Sequence, residues 1–341
     1  VFASPDEYID PIEATGCNFI NLKHLNRRGT NPLKDARLMD ELRRFYERER
    51  VQLALHFTIK PIVYGTMAAN ITGTKSICHV TGLGQAFQSG GLISEVAKRL
   101  YRHALKKADL IYFYNQEDQA FFLNKSLVPE NRSRHLPGLG VNTTYFSPRY
   151  NELPSDDTVR FLYTGALTFR KGVPELMKTM DIISSRHPQV RLEIIGSIEE
   201  NTTDAIDSDT FLHWLSSSPN VVYHGLDGAA RSHLSRADAV ICTSHREGIA
   251  TPLLEGLAMA KPFVACKVPG CQEFIVEGKN GYLAEKGSVT ALVAAMEKLV
   301  AAGSARRAEM GQYGRQLALD LYDQQQLFPK HLNAIRQLLS K

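Results

Sequence analysis

Short apolar runs alternate along this chain with longer stretches in which apolar residues recur every three to four positions. The runs Asn18–Leu22, Gln52–His56, Ser76–Val80, Leu110–Tyr114, Thr158–Tyr163, Arg191–Ile195, Val221–His224, Ala239–Cys242 and Phe263–Cys266 predict buried strands. Between them, Pro32–Arg50, Pro61–Thr72, Gly91–Lys107 and Gln116–Leu127 carry helical spacing, as do Val289–Ala302, Ser304–Asp320 and Leu327–Leu339 near the end; a short polar helix is predicted over Asp6–Thr15. Such alternation predicts an α/β fold built on doubly wound parallel sheets. A length of 341 residues suits two domains. The segment Leu136–Pro148, rich in Gly and Pro and uncharged until Arg149, reads as the linker, which puts the boundary near residue 150. A doubly wound sheet normally begins with a central strand, a Gly-bearing loop and a helix. Nothing at Val1–Pro5 plays that part, so one βα unit of about 25–30 residues is expected to be missing from the first domain.

Composition changes this picture little. The chain is 43% hydrophobic and 22% charged, with no apolar run approaching a membrane span. Its five cysteines have no metal-ligand spacing and read as reduced thiols of a cytosolic protein. The net charge of +4 is uneven: residues 1–150 carry an excess of 6 positive charges and the remainder an excess of 2 negative ones. A basic first half fits an anionic partner, membrane or polyphosphate, or simply a solvated surface. In Gly91–Lys107, an apolar stripe (Leu92, Ile93, Val96, Ala97, Leu100, Ala104, Leu105) faces away from Lys98, Arg99, Arg102, His103, Lys106 and Lys107. That pattern fits a helix lying on an anionic membrane and equally a core-packed helix with a charged outer face.

Candidate chemistry concentrates between Cys242 and Asn280. The strand Ala239–Cys242 runs into a loop bearing Gly248, and a helix start follows, with Thr251 as cap and Pro252 at the first helical position. A strand, a Gly loop and a helix start leave backbone N–H groups and a positive dipole end, which suits phosphate. Glu247 and Glu255, eight positions apart, would lie about 80° apart on one continuous helix. With the helix starting near Pro252, Glu247 instead falls in the loop and Glu255 one turn in. A carboxylate beside an anion site suits hydroxyls of a group attached to that anion, and a second carboxylate suits another hydroxyl pair such as a ribose. Phosphate flanked by two hydroxyl readers describes a nucleotide sugar; two unrelated solvated glutamates are the plain alternative.

The ordered set Glu247, Glu255, Lys261-Pro262, Phe263–Cys266, Pro269-Gly270, Glu273 and Asn280-Gly281 resembles the donor site of family 4 retaining glycosyltransferases, which have the GT-B fold. Pro5-Asp6-Glu7-Tyr8, Arg27–Pro32, His56–Pro61 and Val80–Gly84 resemble one branch of that family, which builds capsule, O-antigen and protein-linked glycans on undecaprenyl diphosphate carriers. The likeness covers essentially the whole chain. It implies two Rossmann-like domains facing a central cleft: residues 1–150 on the acceptor side, residues 151–325 binding the nucleotide sugar, and a C-terminal helix, 326–341, crossing back to the first domain.

The resemblance also implies site residues. On the donor side these are Gly165, Arg170, Lys171, Leu226, Glu247, Gly248, Ile249, Ala250, Leu254 and Glu255, with Lys171 holding diphosphate, Glu247 orienting the sugar and Glu255 the ribose. On the acceptor side they are His56, Lys60, Thr81, Gly82 and Gly84; His56 joins Glu247 and Lys171 as a candidate at the reacting centre, although a satisfied strand-end histidine is an equal reading. One departure stands out: where relatives carry an Arg ahead of the Lys-Gly pair, this chain has Ala166, and Arg170 is the nearby candidate to replace its charge. Asp207-Ser208-Asp209 imitates a metal motif of a different glycosyltransferase fold but lies in a polar loop, so no metal or other cofactor is expected.

The resulting expectation is a UDP-sugar-dependent, metal-independent retaining transferase. It would act on a polyprenyl-diphosphate-linked saccharide at the cytoplasmic face of an anionic membrane, without nucleic acid. The alternative is a non-catalytic nucleotide-sugar-binding or scaffold subunit.

Overall fold

The computed structural model describes residues 1–5, 9–25, 31–84, 87, 91–150, 156–199, 202 and 204–340, with the side chains of 92, 93 and 150 excepted. Asp6–Tyr8 and most of the Arg27–Pro32 motif therefore lie outside the described residues. The chain divides into two compact units, Val1–Leu136 with His331–Lys341, and Pro137–Lys330.

In the first unit, strands β3 (Leu53–Phe57), β4 (Lys75–Val80), β5 (Leu110–Phe113) and β6 (Ser133–His135) form a four-stranded sheet in sequential order, every pair parallel. Strands β1 (Phe2–Ala3) and β2 (Ile20–Asn21) pair separately, also in parallel. The helix Pro32–Arg48 starts on a true cap, because the Asn31 side chain accepts from the N–H groups of Leu33 and Lys34 and Pro32 follows at once. Its inward positions Leu38, Leu42 and Tyr46 are buried against Ala68 and Ala69. The helix Gly91–Leu105 buries Tyr101, Ala104 and Leu105 beside Ile62, Val80 and Phe87, so this side of its apolar stripe is core. Arg102 on the same helix donates to the carbonyls of Lys125 and Ser126, and Lys98 pairs with Glu95.

The second unit is a six-stranded parallel sheet ordered β12-β11-β10-β7-β8-β9. Its strands are β7 (Val159–Thr164), β8 (Val190–Ile195), β9 (Val221–Tyr223), β10 (Ala239–Cys242), β11 (Phe263–Cys266) and β12 (Gly281–Ala284). This is the Rossmann order, with β7 and β10 side by side at the point where the winding reverses; ligands of such sheets bind outside the carboxyl ends of the strands there. Continuous burial of β10 and β11 explains their uninterrupted apolar runs, since both faces are covered. Val141, Thr143 and Phe146 of the segment read as a linker are tied within this unit. Val141 bridges Asp323, the Thr143 hydroxyl donates to Asp323 at 2.5 Å, and Arg315 donates to the carbonyls of Thr143 and Phe146.

The polar stretch read as a loop through Asp209 gives way at Ser208 to a helix, Ser208–Ser216. Asp207 caps it, accepting from the N–H and hydroxyl of Thr210, which is what an Asp ahead of a Thr-rich first turn does.

Candidate functional site

The residues expected on the donor side follow the carboxyl ends of β7 and β10, except Leu226, which follows β9. Gly165 and Ala166 follow β7, and a turn delivers Lys171 before the helix Val173–Arg186. Gly172 closes that turn at φ +68°, and a Cβ there would stand 2.0 Å from the Thr243 carbonyl oxygen, so only glycine lets the two strand ends approach this closely. The approach is fixed from both sides: the Thr243 hydroxyl donates to the Lys171 carbonyl at 2.7 Å, and the Thr168 hydroxyl accepts from the Lys171 N–H. Lys171 Nζ thereby reaches Glu247 Oε1 and forms an ion pair with it. Ser244 Oγ donates to the same oxygen at 2.6 Å. Glu247 is thus an acceptor mostly shielded from water and held by one cation and one hydroxyl.

Below it, the Glu247 N–H donates to the Pro269 carbonyl, the Ala250 N–H to the Gly270 carbonyl, and the Gly270 N–H to Glu273 Oε2. Gly270, at φ +78°, lies so near the Glu247 backbone that a Cβ would stand 2.5 Å from its carbonyl oxygen. The Pro-Gly turn is therefore the platform on which Glu247 rests.

Lys261 is buried and donates to the carbonyls of Ala237 (2.7 Å) and Ser235 (3.3 Å), closing the C-terminus of the helix Ala230–Arg236; burial pushes its pKa down to about 8. Asn280 is wholly buried, accepting from the Val276 N–H and donating to the Phe274 carbonyl. Most of the ordered motif between Glu247 and Asn280 is scaffold for its glutamates.

Glu255 lies on the helix Thr251–Ala258, one turn in, and among the described residues its carboxyl makes no hydrogen bond or ion pair. Burial alone raises its pKa to about 7. A half-buried, unpartnered carboxylate beside a positive helix start is stabilised by ligand hydroxyls more than by water. The helix start itself differs from expectation. Ala250 occupies the cap position and contributes no side-chain bond, while Thr251 and Pro252 are its first two residues. Of the backbone amides of Gly248, Ile249 and Ala250, that of Ala250 is already bonded to the Gly270 carbonyl. Leu254 is buried beneath the helix, and Leu226 stands 70% exposed after Gly225, available to a planar group.

Arg170 does not simply replace the missing arginine at Ala166. Its Nε donates to Asp204 at 2.7 Å and its backbone N–H to the same carboxylate at 3.0 Å, while the Asp204 N–H donates to the Thr202 hydroxyl. Asp204 and Ser244 are the neighbours that sequence reading missed. Ser244 was recoverable from its place three residues before Glu247, while Asp204 had no local signal.

The acceptor-side group lies within the first unit. His56 is 3% exposed, with Nε2 against the Tyr46 hydroxyl at 3.0 Å and Nδ1 against the Thr66 hydroxyl at 3.2 Å. Burial pushes its pKa down to about 4. Both ring nitrogens have hydroxyl partners, an arrangement that matches the satisfied strand-end histidine of the two readings. Lys60 donates to Asp35 at 2.7 Å, and the Tyr64 hydroxyl donates to the other oxygen of Asp35. Thr81, Gly82 and Gly84 follow β4, where the Leu83 N–H donates to Asp118 and Gly84 packs on Ile59.

The Rossmann-order sheet joins Lys171 and Glu247 at its reversal point. Residues 149–317 match the family model described as glycosyl transferases group 1. The chain is 32% identical over 167 residues to the capsular polysaccharide biosynthesis glycosyltransferase CapM of Staphylococcus aureus, covering 49% of this chain and 43% of that protein. It is 25% identical over 303 residues, 84% of this chain and 77% of the relative, to the N,N'-diacetylbacillosaminyl-diphospho-undecaprenol alpha-1,3-N-acetylgalactosaminyltransferase of Campylobacter jejuni. Its fold matches Anabaena HepE, solved in complex with UDP-glucose, at a TM-score of 0.80 and 17% identity, over 98% of this chain and 90% of that one. The GT-B fold is thereby established. The chain spans less than half the length of CapM.

Proposed function

We propose that the protein is a retaining glycosyltransferase of bacterial surface-glycan assembly, moving a hexose or N-acetylhexosamine from a UDP-sugar to a polyprenyl-diphosphate-linked saccharide. The observation that carries this reading is the Lys171–Glu247 pair at the ends of β7 and β10, followed one helical turn later by the unpartnered Glu255. Lys171 offsets diphosphate charge as the bond from the anomeric carbon to the phosphate oxygen breaks. Glu247 accepts from sugar hydroxyls, and Glu255 accepts from the ribose. The acceptor hydroxyl oxygen bonds the same face of the anomeric carbon, and its proton passes to the departing phosphate. In this reading Glu247 is not a covalent nucleophile, and the two-carboxylate glycosidase scheme is not used. No metal enters the transfer step in this reading. The capsular polysaccharide role of CapM and the diphospho-undecaprenol substrate in the name of the Campylobacter transferase support the surface-glycan setting, and the UDP-glucose complex of HepE supports the donor.

Contact with an anionic membrane is assigned to the charged side of Gly91–Leu105 and its continuation at Lys106 and Lys107. In this reading the protein acts peripherally at the cytoplasmic face and takes no nucleic-acid partner. No helix among the described residues is long and apolar enough to cross a membrane.

Calorimetry against UDP, GDP and a UDP-sugar panel, followed by acceptor-dependent UDP release, tests the proposal. UDP binding lost in Lys171→Ala and Glu255→Ala, with release requiring a polyprenyl-diphosphate-linked acceptor, is expected. The Ala166 departure and the capture of Arg170 by Asp204 favour one second reading, a nucleotide-sugar-binding scaffold; binding without release across an acceptor panel would select it.

A further inference from the structure

A second constellation lies on the β8–β9 side of the same sheet and shares no residue with the donor group. Glu193 projects from β8, His224 directly follows β9, and His233 lies on the helix Ala230–Arg236. Glu193 Oε2 stands 2.9 Å from His233 Nδ1 and 3.2 Å from His224 Nε2, and the two imidazole centroids are 4.3 Å apart. All three donor atoms fall within 4.8 Å of one another. On its other side, His233 Nε2 meets Asp227 Oδ2 at 2.7 Å.

Three features distinguish this cluster from an ordinary surface network. The spacing comes first: ligand atoms around a tetrahedral ion with bonds of ~2.0–2.1 Å are separated by about 3.3 Å, close to both measured approaches to Glu193. A second feature is that His224 Nε2 is buried without a hydrogen-bond partner, despite its nearness to the carboxylate. The third is the charge of the cluster. Glu193 and Asp227 bring two carboxylates, and the only ion-pair partners recorded for them among the described residues are the two histidines. A dication between the three atoms would satisfy the stranded nitrogen and neutralise the cluster. Asp227 then does what outer carboxylates do at metal sites: it accepts the remaining ring N–H and fixes His233 with Nδ1 free to coordinate.

We propose that Glu193, His224 and His233 bind a transition-metal dication of the zinc class, with Asp227 as the orienting carboxylate. The ion pins the 224–233 segment to β8. Its role is structural, and it holds whether or not the donor-site reading above does.

The test uses the full chain, untagged and stripped with a chelator, titrated with zinc chloride and with cobalt chloride as a spectroscopic probe. One equivalent of zinc per chain is expected, with a raised melting temperature. Cobalt should give the visible bands of a nitrogen–oxygen site without a thiolate charge-transfer band. Half-buried His224 is the position least needed for folding, so His224→Asn, shown folded by circular dichroism, should lower zinc affinity by at least roughly a hundredfold, and Glu193→Gln likewise; Asp227→Asn should lower it about 10–100-fold. A folded wild-type chain that takes up neither ion would overturn the site. Wild-type affinity in His224→Asn, or a thiolate band with cobalt, would overturn it as well, by placing the metal elsewhere.

Discussion

Replacing Glu255 with glutamine isolates the energetic cost of holding a carboxylate under the donor-site helix. Burial raises its pKa from an ordinary 4.5 to about 7 in the folded chain. Between those values the folded state holds a proton that the unfolded state has released. Stability contributed by this group is therefore complete below pH 4.5 and lost as pH rises through 7. At about 1.4 kcal/mol per unit the full shift corresponds to roughly 3 kcal/mol, and water reaching a half-buried group reduces this to about 2 kcal/mol. Glutamine keeps the shape and removes the charge. Urea unfolding at pH 5 and pH 8, monitored in the second unit through Trp214, should show Glu255→Gln close to wild type at pH 5 and more stable by about 2 kcal/mol at pH 8. An identical stability difference between the two proteins at both pH values would refute the assignment of a desolvated carboxyl. The same charge is what ligand hydroxyls require, so wild-type affinity for UDP should fall as pH drops through 7, and the glutamine variant should show no such slope.

Other positions give sharper structural tests. Gly172→Ala combines a left-handed backbone with an overlap on the Thr243 carbonyl that no rotamer relieves; a loss of about 3 kcal/mol is expected in denaturant unfolding. Lys261→Met leaves the Ala237 and Ser235 carbonyls without their buried donor and should cost about 1–3 kcal/mol by the same assay, with no change in pH 7 nucleotide affinity per folded molecule. His56 titrates with the opposite sign to Glu255. Its folded pKa of about 4 lies below its ordinary 6.5, so the unfolded chain takes the proton first, and the first unit should lose stability as pH falls from 6.5 toward 4. His56→Gln should flatten that limb; an unchanged acid limb would remove His56 as its cause.

Strands buried on both faces were legible because their runs are uninterrupted: Ala239–Cys242 and Phe263–Cys266 fall where the apolar pattern puts them. Edge strand β6, Ser133–His135, carries no apolar signal and was invisible, as was the helix Ser208–Ser216, whose polar opening disguises a cap. At the site, Glu247 and Glu255 stood out through the strand, Gly loop and helix start around them, whereas Lys171 was singled out only by the family resemblance. What spacing could not reveal is which cations were already engaged. Arg170 is paired with Asp204, 34 residues away, and Lys60 with Asp35, 25 residues away. His56 shows the same limit. A strand-end histidine reads identically whether it faces solvent or, as here, Tyr46 and Thr66.

The order β12-β11-β10-β7-β8-β9 has a kinetic consequence. Each flank of the sheet, β7 to β9 and β10 to β12, is made of neighbours in sequence, whereas the central β7–β10 pair joins Phe161 to Ala239. Lys171 belongs to one flank and Glu247 to the other, 76 residues apart. Closing so long a loop is slower than forming either flank, so the ion pair at the donor site should appear only when the two halves meet. In stopped-flow refolding, the capacity to bind UDP should lag the burst of secondary structure and coincide with the slowest phase. Nucleotide present from the start should slow unfolding far more than it speeds folding, because its two anchors are joined only on the native side of that barrier.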